Sequence, residues 1–477
     1  MAGSTFQPGE TKVRPGVYVR STNAGPAELP GVIQGVVAAL LRASWGPLAS
    51  VQSMESLDSV EFTYGSEGTI AVAQEAFRGG ARRVLAYRLG GGAPAKASKT
   101  LQDTTATPVD AVRIDAKYEG VRGNSFTLTI RDSLTDPTGT RELLVYEGTT
   151  LRQTIQFVKG SAGDGEPAAL VAAVAASGSS WITATKLADG SKILATVSNV
   201  PMAGGVDPTV SGQSYSDGLT ALESESWNVL VADSEDAAIH ATLQTYIDRV
   251  RSQGKRGILV VGEPTSVAFA TRCADAKAFN DPAVVYVANG FTGSDGAIRE
   301  GYKAAARIAG MVASAPVTSS LTHAIVTGAT GIVEPLANAD VETAISSGCL
   351  VFTSNARGQV QVEYGINTLV SLSADQDAGW KKIRRVRTRD NLIERIVAAW
   401  DPLVGVVNND ANGAATLMAA AQAVVNQMVA EGALLGGTVT LDPANPPSGE
   451  SVWFIANVDD LDSAEKLYLT FQFRFTA

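Results

Sequence analysis

The sequence predicts an α/β protein. A largely parallel sheet covered by helices on both faces is interrupted by a β-sandwich-like insertion and continued by an α+β C-terminal domain, with extended arms at both chain ends. Three observations support this. Short apolar runs alternate with helix-length segments early in the chain and again from residue 213, as in strands buried on both faces. Between these stretches the composition shifts towards Thr, Asp and Gly, and short strand candidates are separated by turns. The last eleven residues alternate large apolar with mostly polar side chains. The division that follows is 1–22 as an N-terminal arm strand, 23–95 and 213–372 as two parts of the α/β core, 96–212 as the insertion, and 373–477 as the C-terminal domain.

Residues 12–20 form the first short alternating segment, with Val13, Val17, Tyr18 and Val19 as its apolar members. Residues 31–41 read as a mostly buried strand, ended by a loop at Trp45, Gly46, Pro47 and Leu48. A helix over 69–78, stopped by Gly79 and Gly80, leads into a strand over 83–89. In the insertion the strand candidates are 112–118, 126–131, 142–146, 151–158 and 181–187, with one apolar helix over 167–176. The alternation then resumes with strands over 227–231, 257–261 and 283–287 and helices over 235–251, 264–279 and 298–313. A β-rich stretch over 349–372 closes the core. The last part holds a basic helix over 389–400, a small-residue helix over 411–431, a Pro-rich loop over 442–447 and the terminal strand.

With 477 residues, 45% of them hydrophobic and 18% charged, the chain can bury several cores. A formal net charge of -10 argues against a nucleic-acid binder and leaves only a local basic patch to explain. Cys273 and Cys349 are too few for a disulfide framework or a thiolate zinc site, and both read as reduced core thiols. No window reaches the roughly 18 uninterrupted apolar residues of a membrane span, and no apolar leader follows the first residues. Cytoplasmic synthesis and folding are the expectation, without membrane insertion.

The inventory for chemistry is poor, and no catalytic, cofactor or metal residues are assigned. His240 and His323 stand outside any metal-binding spacing, and each reads as a solvated or core histidine. No Gly-x-Ser-x-Gly elbow occurs. Gly254, Lys255 and Arg256 lack the hydroxyl residue and upstream glycine of a phosphate loop. Gly90, Gly91 and Gly92 read as a linker, and Glu223 and Glu225 as solvated charges.

Two clusters remain. Residues 380–396 begin with Trp380 and gather Lys381, Lys382, Arg384, Arg385, Arg387 and Arg389. They are either a solvated face pairing internally with Asp390 and Glu394 or, as we prefer in so acidic a chain, a partner surface, with nucleic acid disfavoured by the lack of interleaved aromatics. The helix over 411–431 sets Leu417, Met418, Val424, Val425, Met428 and Val429 among alanines, which suits a close-packed core or, alternatively, an inter-subunit contact. The terminal strand would extend roughly 35 Å with Leu467, Leu469, Phe471, Phe473 and Phe475 on one face. The ordinary reading is a final strand in the chain's own core sheet; the second strand-like arm at the other end favours the alternative, in which each arm completes a sheet edge belonging to a neighbour.

Several stretches together resemble the sheath protein of contractile phage tails and related injection particles. They are residues 12–19; 117–124 with Lys117, Tyr118, Glu119, Gly120, Gly123 and Asn124; 309–313 leading into Ser320, Leu321 and Thr322; 341–348; 365–369; and 380–387. The resemblance implies a subtilisin-like core without protease activity or cofactor, a β-sandwich insertion and a C-terminal domain facing the tail tube. It also implies terminal arms that pair with neighbouring subunits. The expected partners are further copies of the chain in a helical array, the tube protein, and baseplate and tail terminator proteins, in a virion tail or phage-like particle assembled in the bacterial cytoplasm. Lys381, Lys382, Arg384, Arg385 and Arg387 are then candidates for tube or subunit contact. The competing readings are an α/β hydrolase with unrecognised catalytic residues and a non-contractile virion component.

Overall fold

The computed structural model describes residues 34–473. In chain order the elements are β1 (Val36–Leu41), β2 (Val51–Met54), α1 (Leu57–Tyr64), α2 (Ala71–Arg78) and β3 (Arg83–Arg88). The insertion contributes β4 (Ser98–Gln102), β5 (Asp110–Ala116), β6 (Phe126–Asp132), β7 (Thr140–Glu147), β8 (Thr150–Val158), α3 (Gly165–Ala176), β9 (Ile182–Lys186) and β10 (Val197–Pro201). Next come α4 (Gly212–Ala221), β11 (Val229–Ala232), α5 (Ala237–Ser252), β12 (Ile258–Gly262), α6 (Phe269–Phe279), β13 (Val284–Val287), β14 (Gly290–Gly293) and β15 (Ile298–Arg299). They are followed by α7 (Tyr302–Ser314), β16 (Ala329–Val333), α8 (Asn338–Ser346), β17 (Cys349–Leu350), β18 (Phe352–Ser354) and β19 (Val360–Val362). The last elements are α9 (Ile383–Trp400), α10 (Ala411–Ala430), β20 (Leu434–Leu441) and β21 (Phe454–Asp460).

The central sheet has seven strands in the order β17-β13-β12-β11-β1-β3-β2. All pairings are parallel except β2 with β3. The inner strands are mostly apolar because each face is covered, whereas the edge strand β2 carries Gln52 and Ser53 and is only partly buried. Val37, Ala39 and Leu41 of β1 point into one core with α2 and α7, while Val36, Ala38 and Leu40 point into a second with α4 and α5. The contact between α2 and α7 is made possible by small residues. A Cβ on Gly310 would lie 2.0 Å from the Ala76 carbonyl oxygen, and one on Gly79 would lie 2.2 Å from that of Arg307.

Beneath this contact Glu75 is buried and accepts from Arg78, Arg299 and Arg307. The helix expected over 298–313 starts only at Tyr302. Gly301 has φ +55°, which breaks the helix, and Ile298 and Arg299 pair antiparallel with β14 instead.

The insertion forms a four-stranded sheet, β10-β6-β7-β8, and a three-stranded sheet, β4-β5-β9, that share one core with α3. Trp45, from the loop after β1, enters this core. Its ring lies 5.2 Å from both Tyr118 and Phe126 and 6.3 Å from Trp181, so the residue that ends the first core strand also holds the insertion.

The last part of the chain has its own small core of Leu392, Ala421, Val424, Val425, Met428, Ala433, Leu434 and Val439, with Val317. The buried face of α10 runs Ala414, Ala421, Val424, Val425 and Met428, a helical spacing that supplies a core face. The basic helix begins at Ile383 rather than 389, so it includes Arg384, Arg385 and Arg387. The hairpin of β20 and β21, which flanks the Pro-rich loop, was not legible as strands in the sequence.

Candidate assembly interface

Over 461–473 no strand forms. Leu467, Leu469, Phe471 and Phe473 are 85%, 76%, 71% and 82% exposed, and Phe471 stacks only on Phe473, 6.2 Å between centroids. The segment has no place in the chain's own core. Phe475 and the N-terminal candidates Val13, Val17, Tyr18 and Val19 lie outside the described residues.

Just before this exposed stretch the chain is held by α9. Asp460, the last residue of β21, receives Arg385 through Nε at 2.9 Å and through Nη2, and Arg389 through Nε at 3.1 Å. Arg385 and Arg389 are one helical turn apart, so both guanidiniums reach the same carboxylate. Both also reach Asp377, and Arg389 lies 4.3 Å from the Trp380 ring centroid. Lys382 Nζ lies 2.6 Å from Asp462 and 2.7 Å from Glu465. Arg384 donates to the Ser463 hydroxyl at 2.7 Å and, with Thr388, to the Val317 carbonyl. The hydroxyls of Ser320 and Thr322 donate to Glu465 at 2.7 and 2.9 Å.

Burial acts to raise the Asp460 and Glu465 carboxyls, but hydrogen bonds and positive charge from Arg385 and Arg389 at the first and Lys382 at the second hold both below the ordinary value. Lys382 shows the reverse balance: burial acts to lower it, and Asp462 and Glu465 bring it above the ordinary lysine value.

The remaining two candidates face elsewhere. Lys381 donates to the Val370 carbonyl at 2.8 Å. Arg387 points from α9 towards the start of β11 and β12, where it lines a cavity of about 30 Å³ with Arg256, Asp390, Asn391 and Glu394. Beside it Arg251 makes a two-point pair with Asp390 at 2.8 and 2.9 Å, tying α9 to α5. Burial, with Asp390 adding to it, pushes the Glu394 carboxyl up to about 7, and burial lowers Arg387 to about 10. The sequence reading paired the basic cluster only with Asp390 and Glu394. It overlooked Asp460, Asp462 and Glu465, although their run of like charge complements the run on α9.

A second feature sits close by. The sheet of β20 and β21 has two strands, and among the described residues neither outer edge is paired. Leu435 and Trp453 at its ends are exposed. Such edges accept an added strand.

The histidines occupy ordinary positions. His240 is buried with Nε2 2.9 Å from the Ser234 carbonyl oxygen, and burial lowers its pKa. His323 sits in a left-handed turn, φ +58°, where its backbone N–H donates to Val362. Among the described residues no group of three or more His, Cys, Asp or Glu side chains is placed to hold a metal ion. No helix among them is long and apolar enough to cross a membrane.

Family models match residues 209–368, as the phage tail sheath protein central domain, and 375–474, as the phage tail sheath C-terminal domain, together more than half of the chain. The chain belongs to the phage tail sheath protein family. The sheath fold extends beyond the matched regions. A crystal structure of the sheath tail protein from Desulfitobacterium hafniense superposes with a TM-score of 0.71 at 23% identity, covering 94% of this chain and all of that one. The helical sheath of the anti-feeding prophage in its contracted state superposes with a TM-score of 0.51 at 13% identity, covering 97% of this chain and 99% of that one. In sequence, the uncharacterized protein YqbK of Bacillus subtilis (strain 168) is 26% identical over 404 residues, 82% of this chain and 80% of that protein. The mixed α/β fold with several sheets is thus a sheath fold, and the chain is a structural sheath subunit.

Proposed function

We propose that this sheath subunit polymerises helically around a tail tube and contracts to drive the tube through a target cell envelope. The observation that carries the reading is the juxtaposition at the end of the chain. An alternating apolar segment lies exposed, its root is pinned to α9, and the same domain presents a two-stranded sheet with open edges. An exposed row of Leu and Phe with unpaired backbone is stabilised by adding to such an edge on another copy. A donor surface meeting a different acceptor surface gives a head-to-tail contact, which builds an open helical array when its rotation does not close. Exchanged arms keep subunits connected while rigid cores rotate, since the hinge lies in the chain between clamp and strand.

The partners are further copies of the chain, the tube protein, and baseplate and tail terminator proteins, in a virion tail or phage-like particle assembled in the bacterial cytoplasm. Catalysis, cofactor and direct nucleic-acid contact have no part in this reading. The five bodies are 1–22, 23–95, 96–212, 213–372 and 373–477, with the central sheet read as a subtilisin-like core stripped of its chemistry. Lys382, Arg384 and Arg385 act in assembly chiefly by holding the arm root, Lys381 by fastening the chain before α9 to the Val370 carbonyl, and Arg387 by seating α9 on the core.

The test is a chain ending at Lys466. It should stay soluble with a near-unchanged thermal midpoint yet fail to form tubes by electron microscopy. Unfolding of the shortened monomer, or tubes that still form and contract, would remove the arm from the mechanism.

A further inference from the structure

Cys273 in α6 and Cys349 at the start of β17 are 76 residues apart in sequence, and their sulfurs lie 4.0 Å apart. Both are free, and they are 4% and 1% exposed. The Cys349 thiol donates to the Cys273 sulfur, and the Arg272 charge acts on both. The two sulfurs therefore differ. The hydrogen bond from Cys349, with the Arg272 charge and against burial, holds Cys273 below the ordinary thiol value. The same hydrogen bond and burial push Cys349 up. Of the two, Cys273 is the sulfur more readily converted to thiolate, the reactive form, and Cys349 the one that holds its proton more tightly.

The strand that bears Cys349 is short. It forms the edge of the central sheet, is two residues long, and pairs with β13 only at Tyr286–Cys349 and Val287–Leu350. A disulfide needs the sulfurs to close to about 2.05 Å, which a small shift of this edge with side-chain rotation provides.

We propose that Cys273 and Cys349 form an oxidative cross-link site, closed by a hydroperoxide and independent of the assembly reading above. Cys273 thiolate attacks the peroxide oxygen, the O–O bond breaks, and hydroxide leaves with Cys273 as sulfenic acid. Cys349 sulfur then attacks Cys273, the S–O bond breaks, and the proton of Cys349 departs with the oxygen as water. Two thiols and one hydrogen peroxide give one disulfide and two waters. The bond staples α6 to the sheet edge within one subunit, and it forms only where an oxidant is present.

The experiment exposes the purified full chain to a few equivalents of hydrogen peroxide, denatures it in guanidinium with N-ethylmaleimide, and maps peptides without reduction. The expected result is two alkylated cysteines before exposure and none after, a Cys273–Cys349 linked peptide within one chain, and an upward shift of the thermal midpoint reversed by dithiothreitol. In Cys349→Ala the reaction should stop at sulfenic acid on Cys273, trapped by dimedone. Two cysteines that still alkylate, sulfinic acid on Cys273 without a link, or links between chains would each overturn the proposal. The wild-type peptide map decides it even if the variant does not fold.

Discussion

The guanidinium of Arg385 and the carboxylate of Asp460 meet in a two-point pair that joins the third residue of α9 to the last residue of β21. Both side chains are largely buried, so the pair is shielded from the screening that weakens surface ion pairs. Breaking it by Arg385→Ala or Asp460→Ala should raise amide exchange over 460–466 and slow tube formation, with the double variant no worse than the sum of the singles. A double-mutant cycle on monomer stability should return a coupling of about 0.5–3 kcal/mol. A coupling near zero would mean the pair does not hold the arm root.

Reversing Lys381, Lys382, Arg384 and Arg385 to Glu together should abolish the clamp, because Lys382 and Arg385, the members of the set paired with Asp460, Asp462 and Glu465, become like charges and Arg384 loses its bond to Ser463. The monomer should still fold, since none of the four side chains belongs to the cores of the central sheet and insertion. Assembly should be weakened at every salt concentration, and most at low salt, where repulsion is least screened. Co-sedimentation with tubes across a salt series measures this, and unchanged assembly would return the cluster to a solvated face.

Acid should loosen the arm root before it unfolds the chain. Asp460 and Glu465 are held below their unfolded values, so their contribution is present above the unfolded carboxylate pKa of about 4 and is lost as pH falls through the folded values. Glu394 has the opposite sign. Its folded pKa of about 7 lies above the unfolded value, so the proton it retains stabilises the α9–core junction at low pH, and that contribution is lost as pH rises through about 7. Glu394→Gln should flatten the fall in stability between about pH 4 and 7 that this titration causes, read by denaturant midpoints at each pH. An unaltered slope would show that Glu394 is not the group titrating.

Gly310→Ala should destabilise the central sheet, because the added methyl meets the Ala76 carbonyl oxygen at 2.0 Å and α2 and α7 must move apart. Overpacking of this kind costs about 1–3 kcal/mol. The variant should lower the thermal midpoint, whereas Gly148→Ala, whose Cβ meets nothing within 4 Å but whose φ is +58°, isolates the backbone cost alone. Equal losses in the two would remove the packing argument.

The central sheet was readable because its strands are continuous apolar runs such as 36–41 and 229–232, each followed by a helix-length segment. The insertion strands were readable through period-2 alternation, as in β6, where Phe126, Leu128 and Ile130 are buried. What failed has local causes. The strand β20 contains Gly436 and Gly437, and β21 mixes Asn457, Asp459 and Asp460 into its run, so neither shows the apolar density on which strand recognition rests. The start of α9 was hidden by consecutive basic residues whose partners lie some 75 positions away. At the terminus the alternation was visible, but pattern alone cannot say whose sheet it joins.

The clamp and the Arg251–Asp390 pair lie on the same helix and grip it from two sides. A pull applied at Leu467 passes through Glu465, Asp462 and Asp460 into α9, and from Asp390 through Arg251 into α5 beside the central sheet. The hairpin that ends at Asp460 is bypassed. A pull on the segment beyond Glu465 would therefore meet the charged pairs on α9 first and the backbone pairing of the small sheet only after they had parted.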